Sequence, residues 1–232
     1  MHQTFHWTEC AAVLGELCAE AAFVLDGDGQ TFLGPGLRVR IPQVFPIPSD
    51  LIPTSYGKAT AQELAARRSG PAHQRDPLAK ILASLPPHPP NQCLVLMQAG
   101  AVSIGYFEAG EAVATKTMKR YVVRGRGRAQ AAFLRTKGKS RYGSRLRLQN
   151  AVRLLNDTNL KLTEYWQRFG APAQIFVAAP ARLWSDLFRV KSDPPFDRDQ
   201  EVDAIPLDIP EPTTEVLLRS YKSLCYGRIE RP

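Results

Sequence analysis

From residue 92 to the end, apolar and polar positions alternate with periods that separate strands from helices. Cys93-Leu-Val-Leu-Met97 is a continuous apolar run bounded by Gly100, the pattern of a strand covered on both faces. Val102, Ile104 and Tyr106 alternate as a second strand, and Glu108-Ala-Gly110 turns the chain. Residues 112–123 read as a third strand, so the three form an antiparallel meander. Helical spacing then runs from Ser144 to Phe169. Leu148, Val152, Leu155, Leu162, Trp166 and Phe169 are expected to face the sheet, interrupted by Asn159. Gln174–Ala178 predicts a fourth strand, and Pro180–Val190 a helix with Leu183, Trp184, Leu187 and Phe188 inward. A short strand follows over Ala204–Ile209, at an edge because of Pro206. Thr214–Tyr226, with Pro212 ahead of it, is the last helix. The fold class is α/β, with the order βββαβαβα.

The first ninety residues have a different texture. An amphipathic helix is expected over residues 8–20, with Ala11, Leu14, Leu17, Cys18 and Ala21 near one face. A hairpin follows, from Ala22-Phe-Val-Leu25 to Leu37-Arg-Val-Arg-Ile41. Residues 42–58 hold four prolines and read as extended. Thr60–Arg68 predicts a helix. Asp76-Pro77 opens another, with Asp as cap and Pro at the first position, leading through Leu85. Pro86-Pro-His-Pro-Pro90 closes this part stiffly. The expected division is a smaller α+β segment, 1–90, and a core domain, 91–232. The order βββαβαβα of the core domain is that of a ribonuclease H-like mixed sheet.

Charge changes the picture at one place. Thirteen of the thirty Lys and Arg residues lie between Lys116 and Arg153, with no Asp or Glu among them. The rest of the chain has seventeen basic against twenty-two acidic residues, so the net charge of +8 comes from this block. A concentrated basic block on an otherwise acidic molecule marks a polyanion site, nucleic acid first. A solvated charged loop gains nothing from so much self-repulsion. Glycines at 125, 127, 138 and 143 let the backbone of this block approach a partner closely. Ser144 is the expected helix cap, yet Arg147 stands where a capping box would place Glu. Arg141, Arg145 and Arg147 then oppose the macrodipole, each at up to about 1 kcal/mol, unless phosphates meet them there. Tyr142 between these charges is suited to stacking on a base, or to packing on the surface.

Ordinary catalytic groups are scarce. The first core strand, Cys93 to Gln98, offers none of the carboxylates that a two-metal nuclease needs. There is no phosphate-binding glycine loop with its lysine, no zinc-ligand cluster and no Ser-His-Asp arrangement. His73 and His88 lie in the Pro-rich connector, and His2, His6 and Cys10, at spacing four, lack a fourth ligand on an end expected to fray. With 44% hydrophobic residues the chain can bury a core. No stretch has the length of a membrane span or the form of a signal peptide. Four scattered cysteines read as reduced thiols of a cytosolic protein.

Tyr121-Val-Val-Arg-Gly-Arg-Gly-Arg-Ala-Gln130, followed by Lys137-Gly-Lys-Ser-Arg-Tyr-Gly-Ser-Arg-Leu-Arg-Leu148, resembles the catalytic loop and following helix of the Vms-like release factors. These are relatives of the Gly-Gly-Gln domain of eukaryotic and archaeal termination factors. The resemblance covers roughly residues 93–170, with a looser match in strand and helix order beyond. Arg128-Ala129 stands where the terminators have two glycines, which points to the Vms-like branch. The resemblance implies the ribonuclease H-like fold and a peptidyl-tRNA hydrolase. It implies a loop entering the peptidyl-transferase centre of the large ribosomal subunit, in ribosome-associated quality control. The family's glutamine falls on Gln130, which by itself reads as a polar loop residue. A glutamine is no general base at neutral pH, but its amide or backbone N–H can orient water. Arg124, Arg126 and Arg128 would hold the loop against RNA. Lys137, Lys139, Arg141, Arg145 and Arg147 would bind phosphates of rRNA or the tRNA acceptor end. No metal or organic cofactor and no membrane is implied, and a cytoplasmic monomer is expected. Two alternatives stand beside this: a non-catalytic ribosome- or RNA-binding module, and an endonuclease acting at the tRNA 3′ end.

Overall fold

The computed structural model describes residues 2–26, 29–48, 51, 77–122, 139–205 and 209–231, without the side chains of 139–144. The helix expected over Thr60–Arg68 and the Asp76 cap lie outside these residues. In chain order the elements are β1 (His2–His6), a 3-10 turn (Trp7–Glu9), α1 (Cys10–Glu20), β2 (Val24–Leu25), β3 (Thr31–Gly34) and β4 (Leu37–Arg40). Then come α2 (Pro77–Ser84), β5 (Gln92–Gln98), β6 (Ala101–Glu108), β7 (Glu111–Lys119), α3 (Lys139–Phe169), β8 (Gln174–Ala178), α4 (Ala181–Leu187), β9 (Asp203–Ala204), α5 (Thr214–Leu224) and β10 (Tyr226–Glu230). Contacts divide the chain into Met1–Pro90 with Tyr221–Pro232, and Asn91–Ser220.

The first unit is built on a sheet of order β1-β10-β4-β3-β2. The chain's first residues, expected to fray, instead pair antiparallel with β10 from His2↔Glu230 to His6↔Tyr226. His2 and His6 therefore lie on a strand, where helical spacing no longer brings them together. His6 Nδ1 accepts from Thr8 N while Glu9 accepts from His6 N, capping the 3-10 turn. The expected hairpin contains an extra strand, β3, between its two arms. Cys10, Leu14 and Leu17 form the buried face of α1, while Ala11 is exposed. The sequence reading gave residues 221–232 to the core domain; here β10 lies between β1 and β4 and belongs to the first unit. β1, β4 and β10 each turn an apolar residue inward, Phe5, Val39 and Ile229, and all three are buried.

The second unit has the sheet order β7-β6-β5-β8-β9. β5 is antiparallel to β6 and parallel to β8, with the long helix α3 in the crossover. All but the last residue of β5 are buried, as a central strand covered on both faces requires. Cys93, Val95, Met97, Val102, Ile104 and Tyr106 pack with Leu154, Leu155, Leu162 and Tyr165 of α3. On the opposite face Gly105 lets Leu217 of α5 approach: a Cβ there would lie 2.9 Å from its Cδ2. At one end of the parallel strands Gln92 Nε2 donates to Gln174 Oε1 at 2.7 Å, and Gln174 Nε2 donates to Asp203 Oδ2 at 2.7 Å. Burial raises the Asp203 carboxyl pKa and the Gln174 bond opposes it. β9 is only two residues long, and Pro206 lies outside the described residues.

α3 departs from the expected helix at its start and in its inward face. It begins at Lys139, so Ser144 is an interior residue and not the cap. Lys and Arg propagate a helix well, and one interior glycine costs only about 1 kcal/mol, so Gly143 does not stop it. Leu148 and Val152, expected inward, are 67% and 43% exposed. The buried face is Leu154, Leu155, Thr158, Asn159, Leu162 and Tyr165. The buried face of α3 thus begins at Leu154, later than the apolar spacing suggests. The helix ends at Gly170, whose φ of 88° supplies the left-handed C-terminal residue, and Gly170 N donates to Trp166 O. Tyr106 Oη donates to the carbonyls of Phe169 and Gly170.

Candidate nucleic-acid interface

The basic block enters through β7 and leaves through α3. Residues 123–138, which carry Arg124, Arg126, Arg128, Gln130 and Lys137, lie outside the described residues. Lys139 and Arg141 are in the first turn of α3, and their side chains are likewise not described. What the structure positions is the pair of chain ends that flank this segment.

The strand-side end is fastened to the body of α3, eleven and eighteen residues beyond the helix's first residue, Lys139. Arg120 N donates to Gly100 O at 2.8 Å, a close approach that leaves no room for a side chain at residue 100. Gly100 has φ 93°, and a Cβ there would lie 2.9 Å from Arg120 O. The Arg120 guanidinium reaches Asp157 of α3, with Nη2 2.5 Å and Nε 3.2 Å from Oδ2. One residue on, Asn150 Nδ2 donates to Tyr121 O at 2.9 Å. Asn150 and Asp157 are seven residues apart, two turns along the same flank of α3. The end of β7 is therefore laid along the helix and held at both turns. Sequence reasoning missed these two residues; helical spacing was the available signal, but nothing in it identified the partner strand.

The block is less unbalanced than its sequence suggests. Glu211 lies 3.0 Å from Lys119, and Asp157 balances Arg120, so two of its charges have carboxylate partners from elsewhere in the chain. Arg145 and Arg153 are exposed and Arg147 is half-buried. Among the described residues no carboxylate pairs with any of these three. They stand beside exposed Leu148 and Val152 on a helix whose first turn contains no acidic residue. Arg145 and Arg147 sit two turns inside the helix, because α3 starts earlier than expected, so they act as charged side chains and not as neighbours of the free N–H groups.

A second clamp holds the turn after α4. Asn159, fully buried, donates from Nδ2 to Leu187 O at 2.9 Å and also to Ser192 O. Asn156 Oδ1 accepts from Ser192 N at 2.8 Å. The break in the apolar stripe noted at Asn159 is thus a structural anchor. Among the described residues no group of three or more His, Cys, Asp or Glu could hold a metal ion, and no helix is long and apolar enough to cross a membrane.

Among solved structures the chain is similar to one titled "Vms1 mitochondrial localization core". The identity is 11% and the TM-score 0.46, over 96% of this chain and 84% of that one. No curated protein sequence matches it. The model of the family described as "bVLRF1: Bacteroidetes VLRF1 release factor" matches residues 92–231, from the first residue of β5 through the whole of β10. With more than half of its length inside that match, the chain belongs to the bVLRF1 release-factor family.

Proposed function

We propose that this chain is a peptidyl-tRNA hydrolase that frees nascent peptide on stalled large-subunit ribosome complexes, within ribosome-associated quality control. The observation that carries the reading is membership of a release-factor family over residues 92–231, a span that contains the whole basic block. Supporting it, the end of β7 from which the Gln130 segment departs is held against α3 by Asp157 and Asn150. In this reading Gln130 orients a water molecule for attack on the carbonyl carbon of the ester between peptide and tRNA. The proton balance is left to groups of the ribosome and substrate, since a neutral amide takes no proton at pH 7. Arg124, Arg126 and Arg128 hold the segment against RNA, and Lys137, Lys139, Arg141, Arg145 and Arg147 bind phosphates. The strand order β7-β6-β5-β8-β9 with the succession βββαβαβα supports a ribonuclease H-like fold for the second unit. The protein acts as a cytoplasmic monomer without a cofactor.

The test is release of labelled peptide from purified large subunits carrying peptidyl-tRNA, with wild type and Gln130→Ala. Release by the wild type alone supports the hydrolase. Equal release by both, or none by either, favours a binding module that keeps the fold without the activity, the reading that Arg128-Ala129 supports. A tRNA product lacking its terminal adenosine shows cleavage of the tRNA itself.

A further inference from the structure

The outer face of the first unit's sheet carries a site of its own. On β4, Arg38 and Arg40 alternate with buried Val39; on β10, Arg228 and Glu230 alternate with buried Ile229. All four therefore project from the side opposite the core. The register sets Arg40 directly opposite Arg228 and Arg38 directly opposite Glu230, and Thr31 of β3 lies opposite Arg40 on its other side. These residues and Asp26 line a cavity of about 180 Å³. Arg40 Nη2 donates to Thr31 Oγ1 at 3.3 Å, and Arg228 Nη1 lies 3.3 Å from Glu230 Oε1. His2 Nδ1 stands 3.8 Å from the same carboxylate oxygen.

Two arginines directly opposite each other weaken a strand pair. With Arg38 beside them, three guanidiniums converge on one cavity against two carboxylates, an excess of positive charge on this face. Guanidinium forks match phosphate oxygens in pairs. The two carboxylates call for hydrogen-bond donors beside the anionic group, which an acidic side chain does not carry. They accept hydrogen bonds from hydroxyl groups, as Thr31 also can. A ligand that offers an anionic phosphate next to hydroxyl donors answers both halves of the site. The cavity has the room of roughly six waters at about 30 Å³ each, within the size of a phosphate and its neighbouring hydroxyls.

We propose that this face binds the sugar–phosphate backbone of RNA, with Arg38, Arg40 and Arg228 on phosphate and Asp26 and Glu230 on ribose hydroxyls. The first unit then has a binding task separate from the Gln130 segment, and the inference does not depend on hydrolysis.

The full chain is titrated with a labelled single-stranded oligoribonucleotide and with the deoxyribonucleotide of the same sequence, over a range of salt. Each lost phosphate contact should flatten the log–log salt slope by roughly 0.7, so Arg38→Ala with Arg228→Ala should flatten it by about 1.4 and weaken RNA binding several-fold. Glu230→Ala removes a negative charge, so it should tighten binding of both strands while lowering the preference for ribose. Melting curves establish that each variant is folded. Should the double variant fail to fold, Arg38→Glu alone serves, because Arg38 is exposed and no described carboxylate pairs with it. An unchanged slope and affinity in a folded variant overturns the site. An unchanged ribose preference in Glu230→Ala overturns the ribose assignment and leaves a bare phosphate site.

Discussion

The two bonds that fasten β7 to α3 can be removed without touching any basic residue, which makes them the sharpest probe of the proposed mechanism. Asp157→Ala deletes the carboxylate under Arg120, and Asn150→Ala deletes the donor to Tyr121 O. Both members of the ion pair are nearly two-fifths exposed, so solvent screens it and about 0.2–1 kcal/mol is its worth. The Asn150 bond adds about 0.5–1.5 kcal/mol. Together they hold the strand-side end of the Gln130 segment against α3 by about 1–2 kcal/mol, a factor of roughly 5–30. If placement of Gln130 limits the reaction, the double variant should release peptide that much more slowly at saturating subunits. Binding should move the other way: losing Asp157 raises the net charge from +8 to +9, and affinity for RNA holds or rises. The assay is single-turnover release from purified large subunits, with affinity measured separately. A slower rate with undiminished affinity is the expected result. An unchanged rate in a variant whose melting temperature has fallen would refute the idea that these bonds position the segment, and a rate loss explained by weaker binding would do the same.

Asn159→Ala leaves the carbonyls of Leu187 and Ser192 without their buried donor and opens space beside α3, so the urea midpoint should fall by the equivalent of about 2–4 kcal/mol; a loss below 1 kcal/mol would show that the turn after α4 repacks. Gly227→Ala places a Cβ 2.3 Å from Cζ of buried Phe5, so β1 and β10 should separate locally at a cost of about 1–3 kcal/mol, read as faster amide exchange in β1. Burial pushes the Cys10 thiol from 9.0 up to about 12 and the Tyr165 phenol from 10.0 up to about 12. The unfolded chain loses these protons first, so stability is full below pH 9 and should fall as pH rises from there through 12, measured by urea unfolding along that range; stability flat to pH 12 would contradict it. With Cys10, Cys93 and Cys225 buried and only Cys18 half-exposed, a thiol reagent should modify one cysteine rapidly in the native protein and all four after unfolding.

Much of the second unit was legible because its strands and helices carry their own periodicity. Cys93–Met97 is apolar at every position, and a run of that kind has one use in an α/β protein, a central strand between two helical layers. The three-strand meander, α3, β8 and α5 followed from the same reading to within a few residues. The basic block was legible for a simpler reason, since charge is counted without knowing where the chain goes. Spacing failed where burial depends on what an element reaches. Leu148 and Val152 continue the apolar stripe of α3, yet both are exposed, so the stripe outruns the buried face that starts at Leu154. Ser144 had the chemistry of a cap but stood inside a helix that Lys and Arg could extend toward the chain's start. β10 was not foreseen because Tyr226–Glu230 has one aliphatic residue, Ile229, and a glycine at its other buried position, and it becomes a strand only between β1 and β4, far away in sequence. For the same reason Asn150 and Asp157, and the ring of Arg38, Arg40 and Arg228, were invisible beforehand: hydrogen-bond partners and charge clusters made across strands are properties of register, and register is settled only when the buried faces meet.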